Sequence, residues 1–289
     1  MGVGLLMVAG GAAAGLFGSL LGLGGGILLV PLLTLGFGLP LHEAVGVSLV
    51  SVIVTSAAAA SVYLERAVAD LRLGMSLELF TAMGAVVGGA IAVLVDERVV
   101  AGLFAALLLY VSLTMLRATR ARTPVPETPA PAPVPAAADA APIATTATTT
   151  VAESWTDRVL GPRPYRLRRF PLGIVGSVVA GIASALLGIG GGLVKVPVMH
   201  LVMGVPLRVA TATSNLMIGI TASTSAIVYL LTGGIDPYVA GPTALGVFVG
   251  ASLGSRSGHR LPVAALRVLF VVVLLYTAYQ MARRALAIP

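Results

Sequence analysis

Gly22-Leu23-Gly24-Gly25-Gly26 recurs as Gly188-Ile189-Gly190-Gly191-Gly192, and each run is followed five residues later by a proline, Pro31 or Pro197. Both runs lie inside long apolar stretches, so two hydrophobic helices are broken by the same device. Shifting the chain by 166 residues, the distance from Gly22 to Gly188, carries Gly15 through Arg117 onto Gly181 through Arg283 without a gap. That shift pairs Pro40 with Pro206, Ser48 with Ser214, Tyr63 with Tyr229 and Gly84 with Gly250. The chain is therefore one unit used twice. Glycine-interrupted apolar helices at matching places in two halves are the sequence mark of a secondary transporter with its site at the repeat interface.

Composition sets the environment. Apolar residues make up 57% of the 289 residues and charged residues 10%, far from the roughly 25% charged fraction of soluble domains. Apolar runs at 3–37, 42–64, 73–95, 99–117, 171–203, 208–231, 238–255 and 262–282 are mostly near the length that spans a bilayer as helix. The ten-residue alternation of a membrane barrel is absent from these runs. The expected fold class is an all-α polytopic membrane protein, multi-pass in the cell inner membrane. The first run lacks a basic leader and aligns with an internal segment, so it reads as a transmembrane element rather than a signal peptide.

The chain has no cysteine, which removes disulfides and thiolate metal sites, and its three histidines, His42, His200 and His259, are too scattered for a metal cluster. No cofactor is expected. The net charge of +7 does not point to nucleic acid, because the arginines collect at helix ends and in the central linker, where they suit cytoplasmic anionic lipid. Nucleophile and base pairings, phosphate loops and metal-ligand spacings are missing, so nothing supports an enzyme. The glycine runs are not dinucleotide fingerprints, since no strand precedes them.

Residues 1–117 read as the first transmembrane repeat, 118–170 as a linker and 171–289 as the second repeat. Prolines from Pro124 to Pro142 and many Ala and Thr residues make the linker unfit for helix or sheet. Its downstream end mixes Trp155 and Tyr165 with Arg158, Arg163, Arg166, Arg168 and Arg169, a composition suited to the cytoplasmic headgroup layer, where a short amphipathic helix near Trp155 is conceivable.

Loop charges suggest that the repeats are inverted. Gly38–Leu41 has no arginine while its mate ends in Arg208; Arg66 and Arg72 face a second-repeat loop, Thr232–Pro237, without a basic residue; Asp96, Glu97 and Arg98 are matched by Arg256, His259 and Arg260. Basic residues change sides loop by loop, as they do when each unit crosses an odd number of times. Each repeat is then a glycine-broken helix hairpin, with a short second helix of about 12 residues, followed by three transmembrane helices. Arg283 and Arg284 fall on the wrong side in this scheme, and a parallel repeat of four crossings each is the alternative.

Broken backbone is tolerated in lipid only where its polar groups meet protein or a water-lined cavity, so the glycine clusters belong at the bundle interior. Gly24, Gly25 and Gly26, with Gly190, Gly191 and Gly192, lead into helix amino termini whose unpaired N–H groups can bind an anion. Glycines can also simply let helices approach, the role expected of Gly84-x-x-x-Gly88 and Gly250-x-x-x-Gly254. Lys195 is the only lysine in the chain and lies three residues past Gly192 among apolar neighbours. A charge there needs a cavity or a counter-ion, which an anionic substrate would supply, unless the long stem snorkels to the interface. Its repeat mate is Leu29.

The following helices carry Ser48, Ser51 and Thr55, and Thr211, Ser214, Asn215 and Thr221, as hydroxyl stripes that can either donate to an oxyanion or hold helices together. Glu78 and His200 are candidates for proton coupling, although a Glu near a helix end is commonly interfacial.

The paired runs Gly18-Ser19-Leu20-Leu21-Gly22-Leu23-Gly24-Gly25-Gly26 and Ser184-Ala185-Leu186-Leu187-Gly188-Ile189-Gly190-Gly191-Gly192, each followed by Val-Pro and then an Ala-x-x-x-Ser helix, resemble the TauE/SafE permeases. The resemblance covers both repeats and excludes the linker, which is longer than in compact members. It implies transport of a small sulfur-containing anion such as sulfite, sulfoacetate or another sulfonate, commonly outward across the bacterial cytoplasmic membrane. The expected partners are that anion and membrane lipid, with the oligomeric state, a homo-oligomer included, left open. An anion-selective channel built on the same glycine ends, or a membrane scaffold whose arginine-rich linker recruits a cytosolic protein, are the other classes to weigh.

Overall fold

A computed structural model describes residues 2–21, 25–65, 69–120, 167–257 and 263–286. The proline-rich linker, the segment around Trp155, Gly24, and the side chains of Arg208, Arg256, His259 and Arg260 lie outside the described residues. The described residues form helices α1 (Gly2–Leu21), α2 (Gly26–Pro31), α3 (Leu41–Glu65), α4 (Leu71–Ala92) and α5 (Glu97–Arg120). The second half supplies α6 (Phe170–Leu187), α7 (Gly192–Pro197), α8 (Leu207–Leu231), α9 (Pro237–Ser257) and α10 (Val263–Ala285). α5 runs past Arg117, the boundary expected for the first repeat, to Arg120.

Among the described residues, four helices, Leu71–Ala92, Glu97–Thr114, Phe170–Leu187 and Val209–Leu231, are long and apolar enough to cross a bilayer. α4 shows how they are sided. Met75, Leu79, Met83 and Val86 stand exposed along one face, while Leu77, Glu78, Thr81, Gly84 and Gly88 are buried on the other. The polar and small residues point inward and most of the large apolar ones outward, the reverse of a water-soluble helix and the arrangement that lipid demands. Caps start the helices where the sequence places aspartates: Asp70 accepts from the Leu73 N–H at 2.9 Å, and its repeat mate Asp236 accepts from the Tyr238 N–H at 2.9 Å.

The expected hairpins are present. α1 turns back on α2 so that a Cβ built on Gly10 would lie 3.0 Å from Leu32, and α6 turns back on α7 so that one on Gly176 would lie 2.7 Å from Val198. The short second helices differ from the expectation in one respect: after six α-helical residues, Pro31 and Pro197 hand over to π-helical segments, Leu32–Gly36 and Val198–Val202. Proline has no N–H to continue the α ladder, and beyond Pro197 the turn widens to bonds such as Met203 N–H to Val198 O at 3.1 Å.

The halves interlock by exchange. α1 packs on α9 and α6 on α4, the same contact made twice with the repeats swapped. Gly84 abuts the backbone of Val178, and its mate Gly250 abuts Ala12, the mate of Val178; a Cβ at either glycine would collide with a carbonyl oxygen. Repeat mates also pair directly, α3 with α8 and α5 with α10. α3 and α8 run antiparallel: His42 lies against Tyr229 and Gly234 at one end, and Ser56 against Gly219 and Asn215 at the other.

Candidate functional site at the paired glycine breaks

The two breaks meet at the centre of the bundle. Gly188, Gly190 and Gly191 have φ of 68°, 74° and 74°, and Gly25 has 62°, all in the left-handed region that side chains resist. These glycines reverse the chain between the arms of each hairpin. A Cβ on Gly26 would fall 2.7 Å from the carbonyl oxygen of Gly188 and 3.1 Å from Ser48 Oγ, so only a glycine permits this approach.

Ser48, 22 residues on from Gly26 in α3, ties the breaks together. Its hydroxyl lies 2.7 Å from the Gly188 carbonyl and 3.4 Å from that of Gly26. The repeat-equivalent hydroxyl, Ser214 Oγ, lies beside Gly192, 3.5 Å from where a Cβ would stand. It is buried and has no hydrogen-bond partner among the described residues, and the same holds for Ser184 Oγ, whose Cβ lies against Gly191. Two buried, unpaired hydroxyls thus flank the second break. Leaving such a group unpaired costs about 1–3 kcal/mol, which makes them ready donors to a bound oxyanion.

The remaining hydroxyls divide. Ser51 and Thr55 bond to carbonyls of their own helix, those of Val47 at 3.1 Å and Val52 at 3.0 Å, and Thr211 bonds to Leu207 O at 2.9 Å. Asn215 is half-buried, and its main-chain carbonyl accepts from Ser56 at 2.5 Å, a bond that joins α3 to α8.

Lys195 is not at the interface. It is 2% exposed, and its ammonium lies 2.8 Å from Glu78 Oε2 and 2.5 Å from Thr221 Oγ1. Thr221 in turn lies 2.6 Å from Glu78 Oε1. Glu78 is therefore no interfacial carboxylate: it is the eighth residue of α4, 3% exposed, and supplies the counter-ion expected from substrate. Sequence reasoning singled out all three side chains without joining them, because α4 belongs to the other repeat and neither Leu29 nor Ala244, the mates of Lys195 and Glu78, hints at a pair. His200 stands apart, exposed on the second π segment, with Nδ1 2.9 Å from Val205 O.

Sequence reasoning missed a cavity of about 340 Å³ between α3, the turn after α4, and α8, lined by His42, Val45, Val95, Glu97, Tyr229 and Thr232. His42 stacks on Tyr229 with ring centroids 4.5 Å apart, and the Tyr229 hydroxyl donates to Ala185 O at 2.9 Å. Val45, one of the lining residues, lies against Gly188 and so forms a wall between the cavity and the second glycine break.

Two comparisons with known proteins agree with this architecture. The family model for the sulfite exporter TauE/SafE matches residues 7–281. The chain is 25% identical over 284 residues to the probable membrane transporter protein YunE of Bacillus subtilis (strain 168), covering 96% of each. No solved structure matches it. This chain is a multi-pass membrane transporter belonging to the TauE/SafE sulfite exporter family.

Proposed function

We propose that the chain is a secondary transporter that exports a small sulfur-containing anion, sulfite, sulfoacetate or another sulfonate, by alternating access between two inverted repeats in the inner membrane. The meeting of the two glycine breaks carries this reading: Gly26 against Gly188, Ser48 bonded to the Gly188 carbonyl, and two unpaired hydroxyls, Ser184 and Ser214, beside Gly191 and Gly192. Backbone groups and hydroxyls suit a partly dehydrated oxyanion. Substrate contacts are assigned to Gly24, Gly25, Gly26, Gly190, Gly191, Gly192, Ser48, Ser214 and Asn215, with Thr221 and Lys195 at the far edge. Ser51 and Thr55, bonded within α3, shape the wall.

The antiparallel packing of α3 on its mate α8 supports inversion, because a two-fold axis that relates antiparallel membrane helices lies in the membrane plane. Rocking of one repeat on the other would then open the breaks to each side in turn.

Purified protein in vesicles preloaded with sulfite should take up labelled sulfite by saturable exchange, and Gly26→Leu should abolish it by displacing the Gly188 carbonyl. A wild-type protein that exchanges no sulfur anion, or a Gly26→Leu protein that exchanges normally, refutes the reading.

A further inference from the structure

Glu78 and Lys195 form a buried ion pair across the repeat boundary, Glu78 on α4 of the first half and Lys195 on α7 of the second, with side chains 5% and 1% exposed. Thr221 on α8 bridges the two. The repeat scaffold does not require this pair: in the equivalent place the first repeat buries Leu29 completely. A buried pair is no better a stabiliser than well-packed apolar side chains, so its presence points to use rather than support, as ionisable groups within membrane helices generally do.

The surroundings leave the pair to itself. α4 carries Asp70 and Arg72 only at its beginning, and α6, which packs along it, has no ionisable residue. α8 contributes Arg208, whose side chain is outside the described residues, and Tyr229, committed to Ala185 O. His200, on the segment after α7, is exposed and bonded to Val205 O. Among the described residues, Lys195 is the one charged group in contact with Glu78.

We infer that Glu78 is the binding site for a coupling proton and that its protonation frees Lys195 for the transported anion. The inference rests on the transporter reading above. With Glu78 ionised, Lys195 is neutralised, and a second anion beside it would leave excess negative charge in a dehydrated site. A proton taken from the aqueous side onto Glu78 Oε2 makes the carboxyl neutral and breaks the ion pair. The Lys195 ammonium keeps its own protons and is left without a counter-ion. The anion supplies one, entering from the second glycine break, which opens α7 three residues before Lys195. One proton and one monovalent anion then move together with no net charge, so flux follows the pH difference and ignores membrane voltage; export from an alkaline cytoplasm proceeds while the outward anion gradient exceeds the inward proton gradient.

Two measurements test this, with sulfite and methanesulfonate side by side, since methanesulfonate holds one negative charge at every working pH. In the first, infrared difference spectra of the purified protein are recorded as pH falls. A protonated-carboxyl band should appear in wild type, be absent from Glu78→Gln, and grow when either anion is added at fixed pH. A Glu78 that stays ionised throughout the pH range in which circular dichroism shows the fold intact overturns the proposal. In the second, vesicles under a one-unit pH difference should accumulate anion up to about tenfold toward the alkaline side, equally with the voltage clamped at zero. The variant Glu78→Gln with Lys195→Met, which replaces the pair by neutral side chains and so avoids a lone buried charge, should lose that accumulation. If the double variant still accumulates anion, the pair is structural and the proposal is wrong. Absence of wild-type exchange at equal pH would tell against the transporter reading, while the infrared titration would still decide the proton site.

Discussion

The same substitution at two repeat-equivalent serines is expected to change stability in opposite directions. Ser48 Oγ is buried and bonded to Gly188 O at 2.7 Å, whereas Ser214 Oγ is buried with no partner among the described residues. Ser48→Ala removes a hydrogen bond whose net contribution is about 0.5–1.5 kcal/mol, in line with the ~0.6 kcal/mol typical within membrane proteins. Ser214→Ala removes an unpaired hydroxyl and recovers part of its desolvation cost of about 1–3 kcal/mol, less a small void where the oxygen stood. The two variants should therefore separate by about 2 kcal/mol. At roughly 2–4 °C per kcal/mol for a chain approaching this size, the melting temperatures differ by about 4–8 °C, Ser214→Ala at or above wild type. Thermal unfolding in detergent, with and without sulfite, reads this out. Sulfite at a hundred times its Kd should stabilise wild type by about 2.7 kcal/mol, and Ser214→Ala should lose much of that gain despite its sound fold. A Ser214→Ala protein destabilised as much as Ser48→Ala would refute the reasoning, since the hydroxyl would then be bonded, Gly22 O being the repeat equivalent of Gly188 O. A full sulfite response in Ser214→Ala would place the hydroxyl outside the site.

The swapped helix contacts make a paired prediction: Gly84→Ala drives a methyl into the Val178 carbonyl and Gly250→Ala drives one into that of Ala12, so each should lower stability by about 1–3 kcal/mol in thermal unfolding. Equal tolerance of alanine at both would show that these helices are not in such close contact. Tyr229→Phe removes the bond to Ala185 O at 2.9 Å but keeps the ring on His42. It should cost about 1 kcal/mol and speed exchange by loosening the wall between the His42 cavity and the second break; an unchanged melting temperature would mean the carbonyl finds another donor.

The elements of this fold were legible because lipid enforces simple rules. A helix must satisfy its backbone internally, so the lengths of apolar runs announce the helices, and a glycine cluster followed by proline announces where they break. The repeat shift then predicted which residues would play equivalent parts, and Gly84 and Gly250, Asp70 and Asp236, and Ser48 and Ser214 occupy corresponding places. The π-helical ends of α2 and α7 were not legible, since whether a proline kinks, ends or widens a helix depends on which donors its neighbours offer.

By itself the sequence determined the membrane environment, the duplication and the hairpins, which follow from composition and spacing along one chain, while the resemblance of its paired glycine runs to known permeases pointed to the family. The tertiary structure alone decided which polar groups meet. It brought Glu78 of one repeat onto Lys195 of the other and turned a lysine awaiting an anion into half of an ion pair. It also separated Ser48, which has a partner, from Ser214, which has none among the described residues. Such pairings span 117 and 140 residues and depend on how helices from different halves cross. No local pattern encodes that crossing: the periodicity of each helix specifies an inward face, and only the packed bundle specifies what that face will touch.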